Sequence, residues 1–277
     1  MRRRHPAYRG ASAASRVGAV FVSLCAVGGA LWPVSGQAQV FASIPVEASA
    51  VAAPPASGSA VRVRVQAADA AALARFLGRP EGEDTRQGHV VLTLAPGRQA
   101  DLDVALDALA ASFIIDHADP AVQQLKAQLL QQRPGEPVDG ARVVAFVASV
   151  MRSEPAQTPY ASAVARNLRG DCTEHALLSA ALARALGIPA RVVHGAVLVV
   201  VNGQWQGYGH AWIQTQESGQ WVLRDSALWS EPGPIYYLPS LVLSNEGPGH
   251  RLSLLQGLAR LPSRIEVLGL AQDPGGR

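Results

Sequence analysis

Cys172, His210 and Asp225 are the residues whose types and order in this chain suit covalent chemistry. A thiolate attacks acyl carbon, an imidazole carries the proton, and a carboxylate orients the imidazole. Cys172 stands in the run Arg169-Gly170-Asp171-Cys172-Thr173-Glu174-His175-Ala176, followed by an Ala/Leu-rich stretch that closes at Gly187-Ile188-Pro189. Asp171 is a good helix N-cap, and Glu174 three positions on completes an Asp variant of the capping box. That spacing puts Cys172 at the first helical position. Free amide hydrogens and the helix dipole there favour a thiolate. Asp171 and Glu174 work against it, so the site needs a cation, which a protonated histidine would supply.

The elements around the thiol must bring that histidine to it. Ala176, Ser179, Ala180 and Ala183 follow Cys172 at the helical period, and Leu178, Leu182 and Leu186 form a bulkier stripe, so the helix is expected to be central. Gly187 suits the helix end, and Pro189 prevents continuation. A β-meander should follow. Residues 191–201 are β-rich, Asn202-Gly203 is a hairpin turn, residues 204–215 make a second strand, and Ser218-Gly219 turns into a third over 220–225. With a two-residue second turn, Trp212 faces Asp225 and His210 shares the face of Trp212. Diagonal neighbours lie about 7–8 Å apart, within reach of a His–Asp hydrogen bond. A three-residue loop would put the two on opposite faces.

Other residues compete for these roles. His175, at i+3 from Cys172, shares its side of the helix and is a rival base or, with the thiol, a metal-ligand pair. No further Cys or His stands at ligand spacing, so no metal is expected. His117 and His194 lie in apolar runs and read as core or edge residues. Trp212 and Trp221 read as sheet packing. Trp229, Tyr236 and Tyr237 read as hydrophobes of a Pro-rich loop, with the lining of an acyl cleft as the alternative. The Cys172 amide is one candidate oxyanion donor.

The chain has 277 residues, 48% of them apolar, enough for a packed core. Residues 1–38 read as a signal peptide: five arginines, an apolar run over 17–31, and Gly36-Gln37-Ala38 at the cleavage positions. An uncleaved anchor is the alternative. Either places the remainder outside the cytoplasmic membrane, periplasmic or secreted, with no stable membrane insertion once the signal is cleaved. Without those arginines the chain keeps 19 basic and 21 acidic residues, a net charge of −2, and no basic patch points to nucleic acid. Cys25 falls inside the signal, so Cys172 alone remains and no intrachain disulfide forms. A lone thiol also reads as a small buried hydrophobe.

Residues 39–60, rich in Ala, Pro, Ser and Gly, read as a flexible linker. Residues 61–118 read as a small α+β module of unassigned role, with strands at 61–65 and 89–94 and helices at 67–77 and 101–111. From Asp119-Pro120 the pattern is helical: one helix from 120, one over 139–151 and one over 161–168, before the cysteine helix. The second unit spans 119–245, and 246–277 reads as a tail.

Three blocks in this order resemble the transglutaminase-like superfamily, whose fold is related to papain-like cysteine peptidases. They are residues 170–176 with 184–193, Gly209-His210-Ala211-Trp212, and Gln220-Trp221-Val222-Leu223-Arg224-Asp225-Ser226. The clear match covers about 161–230, with a looser helical match from near 119. The resemblance implies an α+β fold, a papain/transglutaminase-like core with the cysteine helix packed on an antiparallel sheet, beside the small N-terminal module. It implies Cys172 as nucleophile, His210 as base and Asp225 as orienting acid. Family members include protein cross-linkers, amide hydrolases, peptidases and inactive relatives. The chain departs from the family at Gln214, where an acid often follows the His-Ala-Trp block, and at Ser226-Ala227, where a proline-containing continuation is usual. The expectation is a cysteine peptidase, amidase or acyltransferase acting on peptide, protein or peptidoglycan-type amides without a cofactor. A non-catalytic envelope binding module of the same fold is the alternative. Calcium, known for animal relatives, has no dense carboxylate loop to hold it here.

Overall fold

The computed structural model describes residues 43–48, 58–79, 82–100, 102, 104, 106–156 and 158–271. Residues 1–38, expected to be a signal peptide, lie outside the described residues. In chain order the N-terminal part contains β1 (Ser43–Ile44), β2 (Val46–Ala48), β3 (Val61–Ala67), α1 (Ala70–Phe76), α2 (Glu83–Arg86) and β4 (His89–Leu94). A helical part follows, with α3 (Pro120–Gln132), α4 (Gly140–Val150), β5 (Arg152–Ser153), α5 (Ala161–Asn167), β6 (Arg169–Gly170) and α6 (Cys172–Ala185). Then come β7 (Ala190–Val201), β8 (Gln204–Glu217), β9 (Gln220–Arg224), β10 (Tyr236–Val242), α7 (His250–Leu258) and β11 (Pro262–Leu270).

The fold is α+β. Strands β1, β8, β7 and β10 run in that order in an antiparallel sheet, with β9 added to β8. Strands β2, β11, β3 and β4 make a second sheet. Alternation in the sequence decides which side each strand buries. Val192 pairs with Ile213, and both pack with Ala211 against α3–α6; Val193 pairs with Trp212, and both pack toward the second sheet. In β3, Val61, Val63 and Val65 are buried while Arg62 and Arg64 are exposed. The first sheet therefore lies between a helical layer and a second sheet, with one apolar core on each side.

Helix α6 packs on β7 and β8 and is buried at every position from Glu174 to Arg184. Asp171 accepts from the Thr173 amide at 2.9 Å, and Glu174 accepts from the Asp171 amide at 3.0 Å, so the expected capping box forms. At the far end Gly187 takes φ 79°, and Ile188 N–H donates to Ala183 at 2.9 Å, a Schellman close. Gly170 is required where the chain enters α6: a Cβ there would stand 2.2 Å from Glu174 Cβ.

Four stretches differ from the sequence expectation. Residues 43–48, expected in the linker, pair as β1 with β8 and β2 with β11, and Ile44 joins the core. The helix expected over 101–111 is absent among the described residues there. Buried guanidinium groups take its carbonyls instead: Arg191 donates to Leu102 and Val104, and Arg184 to Ala110. Tertiary hydrogen bonds of charged donors outweigh a modest helix propensity. Tyr236 and Tyr237 begin a buried strand, β10, rather than a loop; Pro239 is accommodated where the register with β7 shifts. The tail contributes α7 and β11, and β11 pairs with β3. A bidentate ion pair from Arg184 to Glu246 (2.6 and 2.7 Å) ties the start of that tail to α6.

Candidate active site

Cys172 opens α6 and is half-buried. His210 lies in β8 between the residues paired with β1 (Gly207, Tyr208) and those paired with β9 (Ile213 onward). The turn at Ser218-Gly219 has a two-residue loop, because Glu217 pairs with Gln220. The even register puts Asp225, directly after β9, on the side of His210. Ring Nε2 of His210 lies 2.7 Å from Asp225 Oδ2, and both side chains are buried. An ionised carboxylate only accepts, so Nε2 carries hydrogen. The remaining nitrogen, Nδ1, is not engaged by Asp225, and Cys172 stands close enough to favour the charged ring. The structure thus brings the three sequence candidates together, with His210 hydrogen-bonded to Asp225 and close to Cys172.

Charge follows from this geometry. Burial disfavours a charged His210, but the Asp225 carboxylate and the Cys172 sulfur together outweigh it and push the imidazole up to about 10. Burial also acts against the Asp225 charge, and His210 with its hydrogen bonds overcomes it, holding the carboxyl below its ordinary range. Asp225 Oδ1 accepts from the amides of Ala227 (2.9 Å) and Leu228 (3.2 Å), and Oδ2 accepts from the Tyr237 hydroxyl at 3.0 Å as well as from His210. The sequence reading missed this part for Tyr237, because β10 was not recognised. Two adjacent tyrosines, a residue type favoured in strands, before an apolar run were the available signal.

His175 is not bonded to the sulfur. Its Nδ1 lies 3.2 Å from Ser226 Oγ, which in turn lies 3.0 Å from Ser179 Oγ. Burial drives the ring down to about 4, so it is neutral. His175 is thus engaged by Ser226, whereas His210 is engaged by Asp225. Ser226, one of the two departures from the family pattern, spends its hydroxyl in this buried network. Gln214, the other, accepts from Arg191 Nε at 2.7 Å, and the Arg191 guanidinium stacks on Trp221 at 4.0 Å. His194 is buried in β7, and burial lowers it to about 4 as well. His117 lies at 3.2 Å from the Leu109 carbonyl, away from these groups. Trp212 is buried, stacks with His210 at 6.1 Å between ring centres, and donates its indole N–H to Gln99. Trp229 is half-exposed. Burial pushes the Glu174 carboxyl up to about 7 against the amide donors of Thr158 and Asp171. Among the described residues, no group of three or more His, Cys, Asp or Glu is placed to hold a metal ion. No helix among them is long and apolar enough to cross a membrane.

Residues 126–226 match the family model of the transglutaminase-like superfamily. The matched stretch starts inside α3 and ends one residue beyond Asp225. Comparison with curated proteins gives no match. Among solved structures the chain is similar to a candidate cysteine protease from Cytophaga hutchinsonii, at 17% identity and TM-score 0.38, over 55% of each chain. It is also similar to the periplasmic domain of TgpA from Pseudomonas aeruginosa, at 21% identity and TM-score 0.35, over 52% of this chain and 56% of that one. The ethylmercury-bound form of that domain matches at 20% identity and TM-score 0.35, over 52% and 58%. The chain spans little more than half the length of these proteins.

Proposed function

We propose that the transglutaminase-like core at residues 126–226 works as a cysteine-nucleophile enzyme on amide bonds outside the cytoplasmic membrane, as a peptidase, amidase or acyltransferase. One observation carries the reading: a half-buried cysteine at a helix start, beside a buried imidazole that is itself hydrogen-bonded to a buried carboxylate. His210 takes the thiol proton, and the imidazolium–thiolate pair forms beside Asp225. The sulfur attacks the amide carbon while the Cys172 amide, at the first turn of α6, donates to the developing oxyanion. When the tetrahedral centre collapses, the carbon–nitrogen bond breaks. The leaving amine takes the proton from His210, and a thioester remains on Cys172. Water entering next, its proton accepted by His210, releases an acid; an amine entering instead forms a new amide. The substrate class is peptide, protein or peptidoglycan-type amide, in keeping with the expected export.

The test is mass spectrometry of the purified protein incubated with cell-envelope peptides, beside Cys172→Ala. Products that gain water, lose ammonia or become joined, and that vanish with Cys172→Ala, support the reading and name the reaction. Alkylation of Cys172 by iodoacetamide gives a substrate-free check. A rate no faster than that of free cysteine, unchanged by His210→Ala, leaves the binding-module alternative standing.

A further inference from the structure

We propose that Tyr237 is a positioning residue for this site: its hydroxyl fixes the second oxygen of Asp225, so that the carboxylate stays ionised and in line with His210. The inference rests on the catalytic reading above and adds a fourth residue to it.

The geometry is specific. Asp225 Oδ1 is held by two backbone amides, those of Ala227 and Leu228. Oδ2 is held by His210 Nε2 at 2.7 Å and by the Tyr237 hydroxyl at 3.0 Å. Four donors thus meet the two oxygens, which saturates an ionised carboxylate and leaves a protonated one no oxygen free for its own hydrogen. Tyr237 is 3% exposed, and a buried phenol needs a partner. Burial first, and then the Asp225 charge, push its ionisation far above the ordinary tyrosine range. It therefore remains a phenol at every working pH and can donate throughout.

The ring is fixed by the fold as firmly as the hydroxyl. Tyr237 pairs with Val197 across β10 and β7. Its ring meets Trp212 edge-on at 5.1 Å and lies 6.5 Å from the His210 ring. Trp212 itself stacks with His210 at 6.1 Å. Trp212 and Tyr237 both lie against the His210 ring and belong to the core shared with the second sheet. The hydroxyl cannot swing away without displacing this cluster.

The other charged and titratable groups about the pair set the expected sign. From α6 they are Cys172 and neutral His175, from the cap before it Asp171, and from β7 neutral His194. From β9 comes Arg224, which is engaged by Glu217. Tyr237 is the one of these neighbours that donates a hydroxyl hydrogen to Asp225 and so favours its charged form. Without that donor the carboxyl takes up a proton at higher pH, and the ion pair it supports fails at higher pH.

The experiment is the pH profile of Cys172 alkylation by iodoacetamide, with labelling located by mass spectrometry, in wild type, Tyr237→Phe, Tyr236→Phe and His210→Ala. Tyr236→Phe is the control. It removes a neighbouring buried hydroxyl, which donates to the Ser59 carbonyl at 2.9 Å and not to Asp225. Loss of a hydrogen bond to a charged group should move the acid limb of Tyr237→Phe upward by about one to two pH units. Tyr236→Phe should keep the wild-type limb at a similar loss of melting temperature. Fast wild-type labelling that His210→Ala abolishes, with superimposable profiles for Tyr237→Phe and wild type, overturns this inference and leaves the catalytic reading intact. Equal shifts in both Tyr→Phe variants also overturn it. Slow labelling that His210→Ala does not change removes the catalytic reading first. Should Tyr237→Phe not fold, 3-fluorotyrosine at position 237 replaces it. That more acidic phenol is a stronger donor and should move the limb downward; an unmoved limb rejects the proposal.

Discussion

Replacing Asp225 by Asn changes one atom, and the structure dictates which way the new amide turns. The Ala227 and Leu228 amides point at Oδ1, so the Asn carbonyl oxygen must stay there, because an NH2 would set donor against donor. The NH2 group is thereby turned toward His210 Nε2 and the Tyr237 hydroxyl, where two acceptors are now required. Nε2 must give up its hydrogen, and the imidazole shifts to the tautomer with hydrogen on Nδ1. That nitrogen then faces the sulfur as a donor and cannot take the thiol proton. The same reversal in a serine-protease triad costs about ten-thousand-fold in turnover, or ~5.5 kcal/mol at 1.36 kcal/mol per tenfold. The buried imidazolium also loses its paired charge, which pushes in the same direction. Stability should suffer far less. The two backbone bonds survive, and a loss of about 1–2 kcal/mol would lower melting by roughly 2–8 °C. The assay is acylation of Cys172 by p-nitrophenyl acetate at pH 7, followed by intact mass, beside thermal melting. Acylation within tenfold of wild type, with the fold intact, would refute the tautomer argument and remove Asp225 from the mechanism.

The buried ion pair gives a stability test. Arg184→Met strands the Glu246 carboxylate and three carbonyl hydrogen bonds, so urea unfolding should show a loss of about 3–5 kcal/mol, while the double change Arg184→Leu/Glu246→Leu should cost less than Arg184→Met alone. Gly195→Ala places a Cβ 2.1 Å from the Leu238 carbonyl oxygen and 2.9 Å from the Trp212 ring. It should part β10 from β7, cost about 1–3 kcal/mol or more in unfolding, and slow Cys172 labelling through Trp212 and Tyr237. Stability should also peak near pH 6.5. His175 and His194, lowered to about 4, add stability above their unfolded value that is lost as pH falls through 4, whereas Glu174, raised to about 7, adds stability below its unfolded value that is lost as pH rises through 7. Two groups against one make stability rise with pH between about 4.5 and 6.5. Above that His210, raised to about 10, joins Glu174 in losing stability as pH rises. A melting-temperature profile that climbs steadily to pH 9 would contradict this sum.

The helix start at Cys172, the capping box, the Gly187 close and the β7–β8–β9 meander were all legible in the residues themselves. Each is fixed by local physics: a side chain that satisfies the amides three positions on, a residue free to take positive φ, two-residue turns that set an even register. That register alone predicted that His210 and Asp225 share a side. Local pattern could not choose between His210 and His175 as the partner of the sulfur, since both spacings allow contact. Tertiary placement gives His175 to Ser226 and His210 to Asp225, with Cys172 near enough to act on the His210 charge. It also unmade the expected helix at 101–111, whose carbonyls go to arginines more than 70 residues away along the chain. It turned Tyr236 and Tyr237 from loop into core and aimed a phenol at Asp225. The sequence by itself thus determined the cysteine helix, the strand order of the meander and the three candidate chemical groups. Only the packed fold decided which groups touch, because hydrogen bonds between distant segments depend on burial and direction, and neither is written in spacing along the chain.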